Sequence, residues 1–565
     1  MNTSFKKLTT DFTPFRTLIE DDYVYVDKTG LLRELVLGPD NAIFLSRPRR
    51  FGKSLVLDTV AEIFSGDASL FDGLQIQKLG YDFPQYPVLR LDMSLANSSP
   101  EELKRALMGS LNLLAEENNL TLKSKDYNNA LKELIKKTRN KHQKDVVLLI
   151  DEYDDPVSSA LPDKILAEKN TKVLSKFYGG LKTVNSLLRL AFVTGVTRYS
   201  MMGISSGLNN LYDISFDKKY AAICGFTPEE MDHYFGDRYP AILQSLNSDN
   251  YLATTKSGRQ VLSTTAALKK EILNWYDGYS WDGLTKVLNP ISIINFLDIH
   301  TFGRFWKLSG ASENLLTNVF ENSSFELTFD KLEGVPLDEL LAKLIPDQVK
   351  AVPFLFQTGY LTIDKRYYKN SVECFSLKVP NFELKNEFYS NFSMNLFKLL
   401  VKDTKKVQEA IKLETAFLKR DAEALSKIIA ALYAELPAVL HPRADQDSAD
   451  EHGRAPRESF YHSLLWVYCK VLLKDARAEE PGSKGTPDLT LALNDQTYVI
   501  VELKYAQDVG QDNVEAVLNK RAQDALKAIK DKMYGQHYHL KGQKALTVGV
   551  GVFGRGEVKV IFGGD

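Results

Sequence analysis

Cysteine is scarce in this chain of 565 residues, with only three present, at positions 224, 374 and 469. Cysteines so far apart argue against a disulfide framework and against a zinc cluster. Long apolar runs are also lacking, and the first residues, MNTSFKKLTT, are polar. We therefore expect no membrane-spanning helix and no secretory signal, and we predict a cytoplasmic protein.

An excess of charge of either sign is missing as well, because 71 Lys and Arg face 73 Asp and Glu, for a formal net charge of −2. This balance excludes a globally basic nucleic-acid coat protein but leaves room for a local basic channel. Hydrophobic residues make up 44% and charged residues 25%, as is usual for globular domains. At roughly 150 residues per domain, the length allows three or four domains.

Between residues 41 and 216, short apolar runs alternate with longer amphipathic stretches. The predicted strands are Ala42–Ser46, Pro87–Met93, Val146–Asp151 and Leu190–Thr194, and the predicted helices are Leu55–Phe64, Glu101–Glu117, Asn128–Lys137 and Thr171–Leu188. Buried strands separated by helices predict a three-layer α/β fold with a parallel sheet. We assign residues 1–225 to this first region.

Three further regions follow. Residues 226–440 are predicted to be mostly helical, beginning with the N-cap Thr227 before Pro228 and interrupted by a strand-like piece at Gly359–Ile363. Residues 441–457 lack periodicity, which predicts a flexible linker. Residues 458–565 show the order α-β-β-α-β-β, which predicts a compact α/β domain.

One segment places a glycine, a lysine and a hydroxyl at the start of a predicted helix. It reads Arg47-Pro48-Arg49-Arg50-Phe51-Gly52-Lys53-Ser54 and directly follows a predicted strand. A P-loop needs a glycine-rich turn, a lysine for the β- and γ-phosphates and a hydroxyl for Mg²⁺. The last three residues supply the second half of that motif, while Arg47 occupies the place of its first glycine.

Polar residues also end two other predicted strands of this region. Asp151 and Glu152 follow an apolar run, where a P-loop ATPase coordinates Mg²⁺ and activates water. Thr194 ends another strand, and Arg198 follows it at a position suited to sensing the γ-phosphate. Ligands collect at the carboxyl ends of strands in open α/β sheets, so these ends indicate a nucleotide site. The alternative is a basic surface turn and an unrelated acidic pair.

A second group of carboxylates and a lysine lies near the C-terminus. Asp488 opens one predicted strand, and Glu502 and Lys504 end the next. Side chains alternate along a strand, so Glu502 and Lys504 share a face, and a hairpin turn brings Asp488 towards Glu502. Two such carboxylates can bind Mg²⁺, while the lysine can position or deprotonate water or stabilise charge on a phosphate.

Together these motifs resemble a bacterial AAA-ATPase-like family fused to a PD-(D/E)xK nuclease domain, with a restriction-endonuclease-like α/β fold. An arginine-rich loop in place of the first glycine is itself typical of that family. The similarity covers nearly the whole chain except the stretch around 441–457. Besides the C-terminal block, the matching segments are Asp11-Phe12, Tyr25–Thr29, Phe44–Ser54, Trp275–Tyr279, Asn289-Pro290 and Gln357–Thr362.

The resemblance implies a role for each candidate residue. At the first site, ATP and Mg²⁺ would be bound by Arg49, Arg50, Phe51, Gly52, Lys53, Ser54, Asp151, Thr194 and Arg198, with Ser54 and Asp151 on the metal and Glu152 on the hydrolytic water. At the second site, Mg²⁺ or Mn²⁺ would be bound by Asp488, Glu502 and Glu458, with Lys504 as the catalytic lysine.

We therefore expect an ATP-binding and ATP-hydrolysing, metal-dependent nuclease that cleaves nucleic acid, DNA in particular, with its ATPase domain gating the nuclease domain. One alternative is a nucleotide-switched binding or signalling module whose nuclease-like domain is inactive. Another is a motor whose C-terminal domain tethers it to its substrate. Whether Arg198 acts within its own subunit or across a homo-oligomer interface stays open.

Some residues have two interpretations at this point. Tyr25–Thr29 covers the nucleotide base or packs against the sheet. Glu458 binds metal or only caps its helix, and His462 contacts phosphate or is packed for structure. The tryptophans of the middle region stack on bases or, as we favour, lie in the core; they are Trp275, Trp281 and Trp306.

Overall fold

A computed structural model describes the chain at residues 5–95, 99–161, 163–198, 208, 211–248, 253–255, 258–260, 262–306, 332–342, 350–370, 372–385, 406–434, 458, 461–462, 464–466, 468–469, 476–478, 487–494, 497–506, 513–534, 538, 544–554 and 556–564. Two compact units divide it: an N-terminal unit built mainly from residues up to Glu387, and a C-terminal unit built mainly from Phe388 onward. The predicted linker at 441–457 lies outside the described residues.

Helices account for much of the N-terminal unit. Its helices are α1 (Phe15–Glu20), α2 (Thr29–Leu37), α3 (Lys53–Ser65), α4 (Gln75–Lys78), α5 (Pro100–Glu117), α6 (Tyr127–His142), α7 (Asp155–Ser158), α8 (Lys164–Gly179), α9 (Pro228–Phe235), α10 (Tyr239–Ser248), α11 (Thr265–Tyr276), α12 (Pro290–Ile299), α13 (Leu337–Leu340) and α14 (Ala351–Gln357). The C-terminal unit contains α15 (Lys406–Leu418), α16 (Ala422–Ala434) and α17 (Val514–Asp531), and its described residues from 458 to 469 are also helical.

In the described part of the chain, strands form two five-stranded sheets and two smaller ones. Their bounds are β1 (Ala42–Ser46), β2 (Val88–Asp92), β3 (Val146–Asp151), β4 (Leu188–Gly195), β5 (Tyr212–Asp213), β6 (Ala253–Thr255), β7 (Gly258–Gln260), β8 (Leu332–Pro336), β9 (Thr362–Lys369), β10 (Val372–Lys378), β11 (Ala476–Ala478), β12 (Leu489–Asn494), β13 (Thr497–Ala506), β14 (Lys544–Phe553) and β15 (Glu557–Phe562).

The first large sheet has the order β2-β3-β4-β1-β5, and all its strands are parallel. This confirms the predicted α/β fold, and β1 and β3 have the predicted bounds. Every residue of β1 is buried, as expected of a strand covered by helices on both faces. Because the strands are parallel, the carboxyl ends of β1, β3 and β4 lie along one edge of the sheet.

One helix of this region ends earlier than predicted. The pattern over 171–188 predicts a single helix, but α8 ends at Gly179, and two short 3₁₀ turns lead to β4, which begins at Leu188. Gly180, just after α8, lies close to α6, since a Cβ atom there would lie 2.0 Å from Oδ1 of Asn128. Amphipathic period alone does not reveal such tertiary contacts.

The middle region contains a sheet that the sequence analysis missed. Helices α9 to α14 agree with the prediction, and Thr227 caps α9 through a capping box with Glu230. However, β8, β10 and β9 form a three-stranded antiparallel sheet. The predicted strand-like piece at 359–363 is mainly the turn after α14, with Gly359 in the left-handed region (φ +90°), and β9 begins only at Thr362.

The C-terminal unit has a mixed sheet in the order β11-β12-β13-β14-β15. Strands β13 and β14 run parallel, whereas the other neighbouring strands are antiparallel. The long strand β13 alternates core residues such as Val499, Val501 and Leu503 with Glu502 and Lys504. Glu502 and Lys504 therefore lie together on the face opposite the larger apolar core.

Candidate active sites

The phosphate-loop segment connects β1 directly to α3. Gly52 precedes α3 with φ +96°, and Arg50 has φ +63°, so two residues of this turn adopt the left-handed region. Glycine accepts this conformation freely, but arginine does so at a cost that is often found at functional sites. The turn leaves the first amide groups of α3, at Lys53 and Ser54, at a helix N-terminus, where anions bind favourably.

Arg47, at the position of the usual first glycine, is directed into the protein. Its side chain is 1% exposed, and its guanidinium donates to the carbonyl oxygens of Ser46 at 2.9 Å and Ser215 at 2.8 Å. The same guanidinium lies 4.1 Å from the ring centroid of Trp281. Burial lowers the pKa of Arg47 to about 10. Arg47 therefore anchors the loop to the interior of the protein, through hydrogen bonds from its guanidinium to backbone carbonyl oxygens.

Aromatic side chains of the middle region surround Phe51. The Phe51 ring is 1% exposed and packs edge-on against Tyr279, Trp281 and Trp306 at centroid distances of 4.8, 5.4 and 6.4 Å. Phe51 can therefore contribute its backbone to a nucleotide site, while its ring belongs to the core. The tryptophans are buried, which agrees with the core interpretation rather than with base stacking.

Lys53 lies opposite the acidic end of β3. Its ammonium is 3.2 Å from Oε1 of Glu152 and donates to the carbonyl oxygen of Pro48 at 3.3 Å. Thr194, on the neighbouring strand β4, donates its hydroxyl to Oδ1 of Asp151 at 2.5 Å. The structure thus brings together Lys53 and Glu152, and also Asp151 and Thr194, at the edge that the sequence predicts. Ammonium and carboxylate groups in this arrangement suit a magnesium–nucleotide complex.

Electrostatics around Glu152 differ from those of a surface carboxylate. Burial raises the pKa of Glu152 above its usual value, while the Lys53 ammonium opposes this rise. Glu152 also has φ +48°, another left-handed residue at this site. Burial likewise raises the pKa of Asp155 to about 6, although its carboxylate pairs with Arg49 at 3.1 Å. Arg49 is therefore tied by its side chain to the start of α7, whereas Arg50 is exposed.

Arg198 has a different environment from the one that the sequence predicts. Its guanidinium forms an ion pair with Asp213 and lies between the rings of Phe44 and Phe216, 5.6 and 5.9 Å from their centroids. Its backbone amide donates to Gln357 Oε1 at 3.1 Å. The structure does not bring Arg198 into contact with Lys53, Ser54 or Asp151.

Three polar residues near this site escaped the sequence analysis. Asp92 ends β2 directly beside Asp151 in the sheet register. It could have been found, because its strand ends in a carboxylate just as β3 does. Asp154 is 1% exposed and accepts the backbone amides of Val196 and Thr197, so it fixes the loop after β3 to the end of β4. The third, Asp155, has been described with Arg49.

The segment Tyr25–Thr29 packs for structure. Asp27 accepts the backbone amide of Thr29 at 2.8 Å and that of Gln75 at 2.7 Å, which holds the starts of α2 and α4. Lys28 forms a buried ion pair with Glu230 of α9, with N–O distances of 2.5 and 2.6 Å. These contacts favour the packing interpretation over a cover for the nucleotide base.

In the C-terminal unit, Asp488 and Glu502 are brought together as the hairpin predicts. The backbone amide of Asp488 donates to Oε2 of Glu502 at 3.3 Å, and that of Leu503 donates to Oδ2 of Asp488 at 2.7 Å. Both residues are nearly buried, at 2% and 3% exposure. Paired, partly dehydrated carboxylates are a donor set that fits Mg²⁺ or Mn²⁺. The residues just before Pro487 lie outside the described part of the chain.

Lys504 lies between Glu502 and Glu458. Its ammonium is 2.9 Å from Oε1 of Glu458 and 3.8 Å from Oε1 of Glu502. Glu458 uses its other oxygen, Oε2, to accept the backbone amide of Tyr505 at 3.0 Å. Contacts thus connect all four C-terminal candidates, which are Asp488, Glu502, Lys504 and Glu458. Glu458 contributes its ion pair with Lys504.

His462 contacts the backbone beneath Asp488. Its Nε2 is 2.6 Å from the carbonyl oxygen of Asp488, and the side chain is buried. This supports the structural interpretation of His462. Of all described His, Cys, Asp and Glu residues, no three form a group that could hold a metal ion. The Asp488 and Glu502 carboxylates form the pair that could hold a metal here, with water or substrate oxygens completing its shell.

The two carboxylates and the lysine affect one another's protonation. Burial raises the pKa of Glu502 to about 7, the Asp488 carboxylate adds to the rise, and the Lys504 ammonium opposes it. For Lys504, burial acts to lower the pKa, but the Glu458 carboxylate outweighs it, and the pKa lies above its usual value. Lys504 is thus a cation in this site, while Glu502 exchanges its proton near neutral pH.

Two remaining expectations concern the chain as a whole. Cys224, Cys374 and Cys469 are buried and form no disulfide, as their spacing predicts. Among the helices that the structure describes, none is both long enough and apolar enough to cross a membrane.

Comparison with known proteins gives a match to a family model at each end of the chain. Residues 11–205 match the family described as "Predicted AAA-ATPase", and residues 456–561 match the "PD-(D/E)XK nuclease superfamily". An "Uncharacterized protein in vnfD 5'region" from Azotobacter chroococcum mcd 1 is 29% identical over 553 residues, covering 97% of this chain and 96% of that protein. The crystal structure of Cdc6p from Pyrobaculum aerophilum aligns with 66% of this chain and 97% of its own, with 12% identity and a TM-score of 0.25, too low to carry an argument.

Proposed function

The chain carries a predicted AAA-ATPase domain and a PD-(D/E)XK nuclease superfamily domain, and we propose that it is an ATP-dependent nuclease that hydrolyses phosphodiester bonds of DNA. In this proposal the N-terminal unit binds and hydrolyses ATP with Mg²⁺. The C-terminal unit cuts DNA with Mg²⁺ or Mn²⁺, and the nucleotide state of the first unit controls the second.

One observation supports the nuclease assignment: Asp488, Glu502 and Lys504 are joined by direct contacts, and both acidic residues are nearly buried. A divalent ion bound there would supply Lewis-acid chemistry to the phosphate and to the attacking water. The Asp488 and Glu502 carboxylates would bind that ion. Lys504 would place its positive charge beside the phosphate, where negative charge grows as water attacks phosphorus and the P–O bond to the leaving group breaks.

The ion pair with Glu458 favours one of the roles left open for Lys504. A lysine that stays protonated can stabilise developing charge or donate a hydrogen bond to water, but it cannot remove a proton. We therefore assign Lys504 to electrostatic stabilisation. A divalent ion held by Asp488 and Glu502 would supply the acidity of the attacking water, whose proton would pass to solvent.

At the ATP site, Lys53 would contact the β- and γ-phosphates once its ammonium leaves Glu152. Ser54 and Asp151 would bind the Mg²⁺, and Thr194 would hold Asp151 in place through its hydroxyl. Glu152, freed from Lys53, would orient the hydrolytic water. The inward direction of Arg47 supports phosphate binding by this loop. Its guanidinium is engaged with backbone carbonyls and Trp281 and so does not occupy the place of the phosphates.

DNA cleavage tests the nuclease half. Labelled single- and double-stranded DNA is incubated with the purified chain and Mg²⁺ or Mn²⁺. We expect Asp488→Asn and Lys504→Ala each to lower cleavage about a hundredfold or more. Two residues of α17, the half-buried Asp524 and the exposed Lys527, provide matched controls, D524N and K527A, which should cleave normally. Cleavage that survives in both D488N and K504A would refute this assignment. DNA binding without cleavage by the wild type would support the binding-module alternative.

Nucleotide binding tests the other half. Lys53→Ala should weaken ATP binding about tenfold or more, because the buried ammonium supplies the charge that faces the phosphates. Lys104→Ala, on an exposed part of α5, is the control. For gating, ATP should change the cleavage rate of the wild type but not of K53A. An ATP affinity of K53A equal to that of the wild type would exclude the phosphate-loop assignment. If ATP changed the cleavage rate equally in K53A and in the wild type, gating would be excluded.

A further inference from the structure

Glu458 is engaged by two donors from a single strand. Its Oε1 lies 2.9 Å from the Lys504 ammonium, and its Oε2 accepts the Tyr505 amide at 3.0 Å. Both donors belong to β13, the strand that also carries Glu502. The carboxylate is therefore held against the end of β13 at the lysine, while Asp488 and Glu502 are bonded to each other's segments.

We infer that Glu458 is a positioning residue that acts through Lys504, rather than a ligand of the nuclease metal. This inference rests on the proposed nuclease function and adds a role to that same site. Its negative charge holds the Lys504 ammonium at 2.9 Å, closer than Glu502 at 3.8 Å. The two remaining carboxylates are then left to bind the cation, and the lysine is kept in place for the phosphate.

The helix that carries Glu458 is fixed to the sheet at two further points, which makes a positioning role physically reasonable. Tyr461 stacks on Tyr505 of β13, with ring centroids 5.5 Å apart and planes 8° apart. Both hydroxyls donate to the carbonyl oxygen of Gly554 at 3.1 Å. The residue after Tyr461, His462, contacts the carbonyl oxygen of Asp488 through its Nε2 atom. A helix held in this way fixes the backbone position from which Glu458 reaches Lys504 and the Tyr505 amide.

Charge also favours this arrangement. An ammonium that lost Glu458 would retain Glu502 at 3.8 Å as its nearest described carboxylate. Lys504 would then compete with a divalent cation for Glu502. The closer acidic partner, Glu458, limits that competition, because opposite charges in contact are stabilised most where water is largely excluded.

The test compares Glu458→Gln with Asp488→Asn in three measurements. For E458Q, we expect the Mn²⁺ dissociation constant to rise by no more than about threefold, because Lys504 then competes for Glu502, while cleavage falls about tenfold or more, as is usual when a supporting contact is lost. D488N should lose Mn²⁺ binding. The double variant E458Q/K504A should cleave no more slowly than K504A alone, because Glu458 acts through that lysine.

A third measurement does not require nuclease activity. Acylation of Lys504 by an amine reagent, followed by mass spectrometry, should be several-fold faster in E458Q than in the wild type, because the amine loses its ionic partner. The exposed Lys527 provides the internal reference. Glu515→Gln removes a similar but exposed pair with Lys559 and serves as the matched control. This control should leave cleavage, Mn²⁺ binding and Lys504 acylation unchanged.

The outcomes separate the inference from the proposed function. Loss of Mn²⁺ affinity in E458Q comparable to that in D488N, or unchanged acylation of Lys504, would overturn the positioning role. If the wild type neither bound Mn²⁺ nor cleaved DNA, the nuclease function would fail. Faster acylation of Lys504 in E458Q would still establish the ion pair, and unchanged acylation would still refute it.

Discussion

Arg47 shows how one residue can serve a binding loop without touching its ligand. Where a usual phosphate loop has a glycine, this chain has a buried arginine that fixes the loop to backbone carbonyls and to Trp281. The sequence identifies the position of Arg47 but not the direction of its side chain. That direction depends on Trp281, which lies far along the chain and packs here only in the folded unit.

Replacing Arg47 by glycine should therefore destabilise the protein. Arg47→Gly removes buried charge-assisted hydrogen bonds and leaves carbonyl oxygens unpaired, at a cost of about 3 kcal/mol in the free energy of unfolding. We expect no gain in ATP affinity. Denaturant unfolding followed by tryptophan fluorescence measures the cost. Arg105→Gly, at an exposed position of α5, is the control and should lower the free energy of unfolding by only about 1 kcal/mol. A stability loss no larger than that of R105G would contradict the anchoring role.

Glu502 gives a prediction about pH. Its pKa is raised from 4.5 to about 7 in the folded chain, so the folded state holds the proton more tightly than the unfolded state. This contribution to stability is complete below about pH 4.5 and is lost as the pH rises through about 7. Without metal, Glu502→Gln should thus stabilise the C-terminal unit at pH 8, by about 2–3 kcal/mol, and should have little effect at pH 5.

Hydrogen exchange of the β13 amides in the presence of a chelator measures this difference. The Glu515→Gln variant, in which an exposed carboxylate is removed, should show no such dependence on pH. A wild-type and E502Q pair whose protection changes identically between pH 5 and pH 8 would show that Glu502 does not hold a proton in the folded unit.

At the scale of elements, how much the sequence predicts depends on how local the determinant is. Strands β1 and β3 are predicted to the residue, because continuous apolar runs followed by polar loop residues are local signals. The pair of Asp488 and Glu502 follows from strand alternation and a hairpin. The Glu458–Lys504 contact could not be predicted in this way, since it depends on how Tyr461 and Tyr505 pack between a helix and β13.

The turn between α14 and β9 supports the phosphate loop, although more than 300 residues separate them. A Cβ atom on Gly359 would lie 2.7 Å from Cγ of Pro48 and 2.9 Å from Cη2 of Trp306. Pro48 in turn accepts a hydrogen bond from Lys53. Displacement of Pro48 should therefore be transmitted to the ammonium group that faces the phosphates.

Gly359→Ala should accordingly weaken ATP binding about tenfold, since loss of precise positioning readily costs that much. Gly80→Ala is a close control, because Gly80 also has positive φ, at +74°, but nothing lies within 4 Å of its Cβ position. Both variants carry similar backbone strain, so only G359A adds the collision with Pro48. Equal ATP affinities for G359A and G80A, measured by calorimetry, would show that the turn does not influence the loop.

At the scale of the whole molecule, the proposed function requires two metal–phosphate sites of different chemistry in one chain. The parallel sheet of the N-terminal unit gathers Lys53, Asp151 and Glu152 at strand ends. The mixed sheet of the C-terminal unit gathers Asp488, Glu502 and Lys504 on a hairpin. The domain boundaries at residues 225, 440 and 457 stay predictions, as do the DNA substrate and control by ATP.

Counting the Mn²⁺ ions bound per chain, from the electron paramagnetic resonance signal of the free ion, tests this claim most directly. We predict that the nucleotide-free wild type binds Mn²⁺, that D488N does not, and that a non-hydrolysable ATP analogue adds a further ion in wild type and D488N but not in K53A. Binding that is the same in the wild type, D488N and K53A, with or without the analogue, would contradict the existence of both sites.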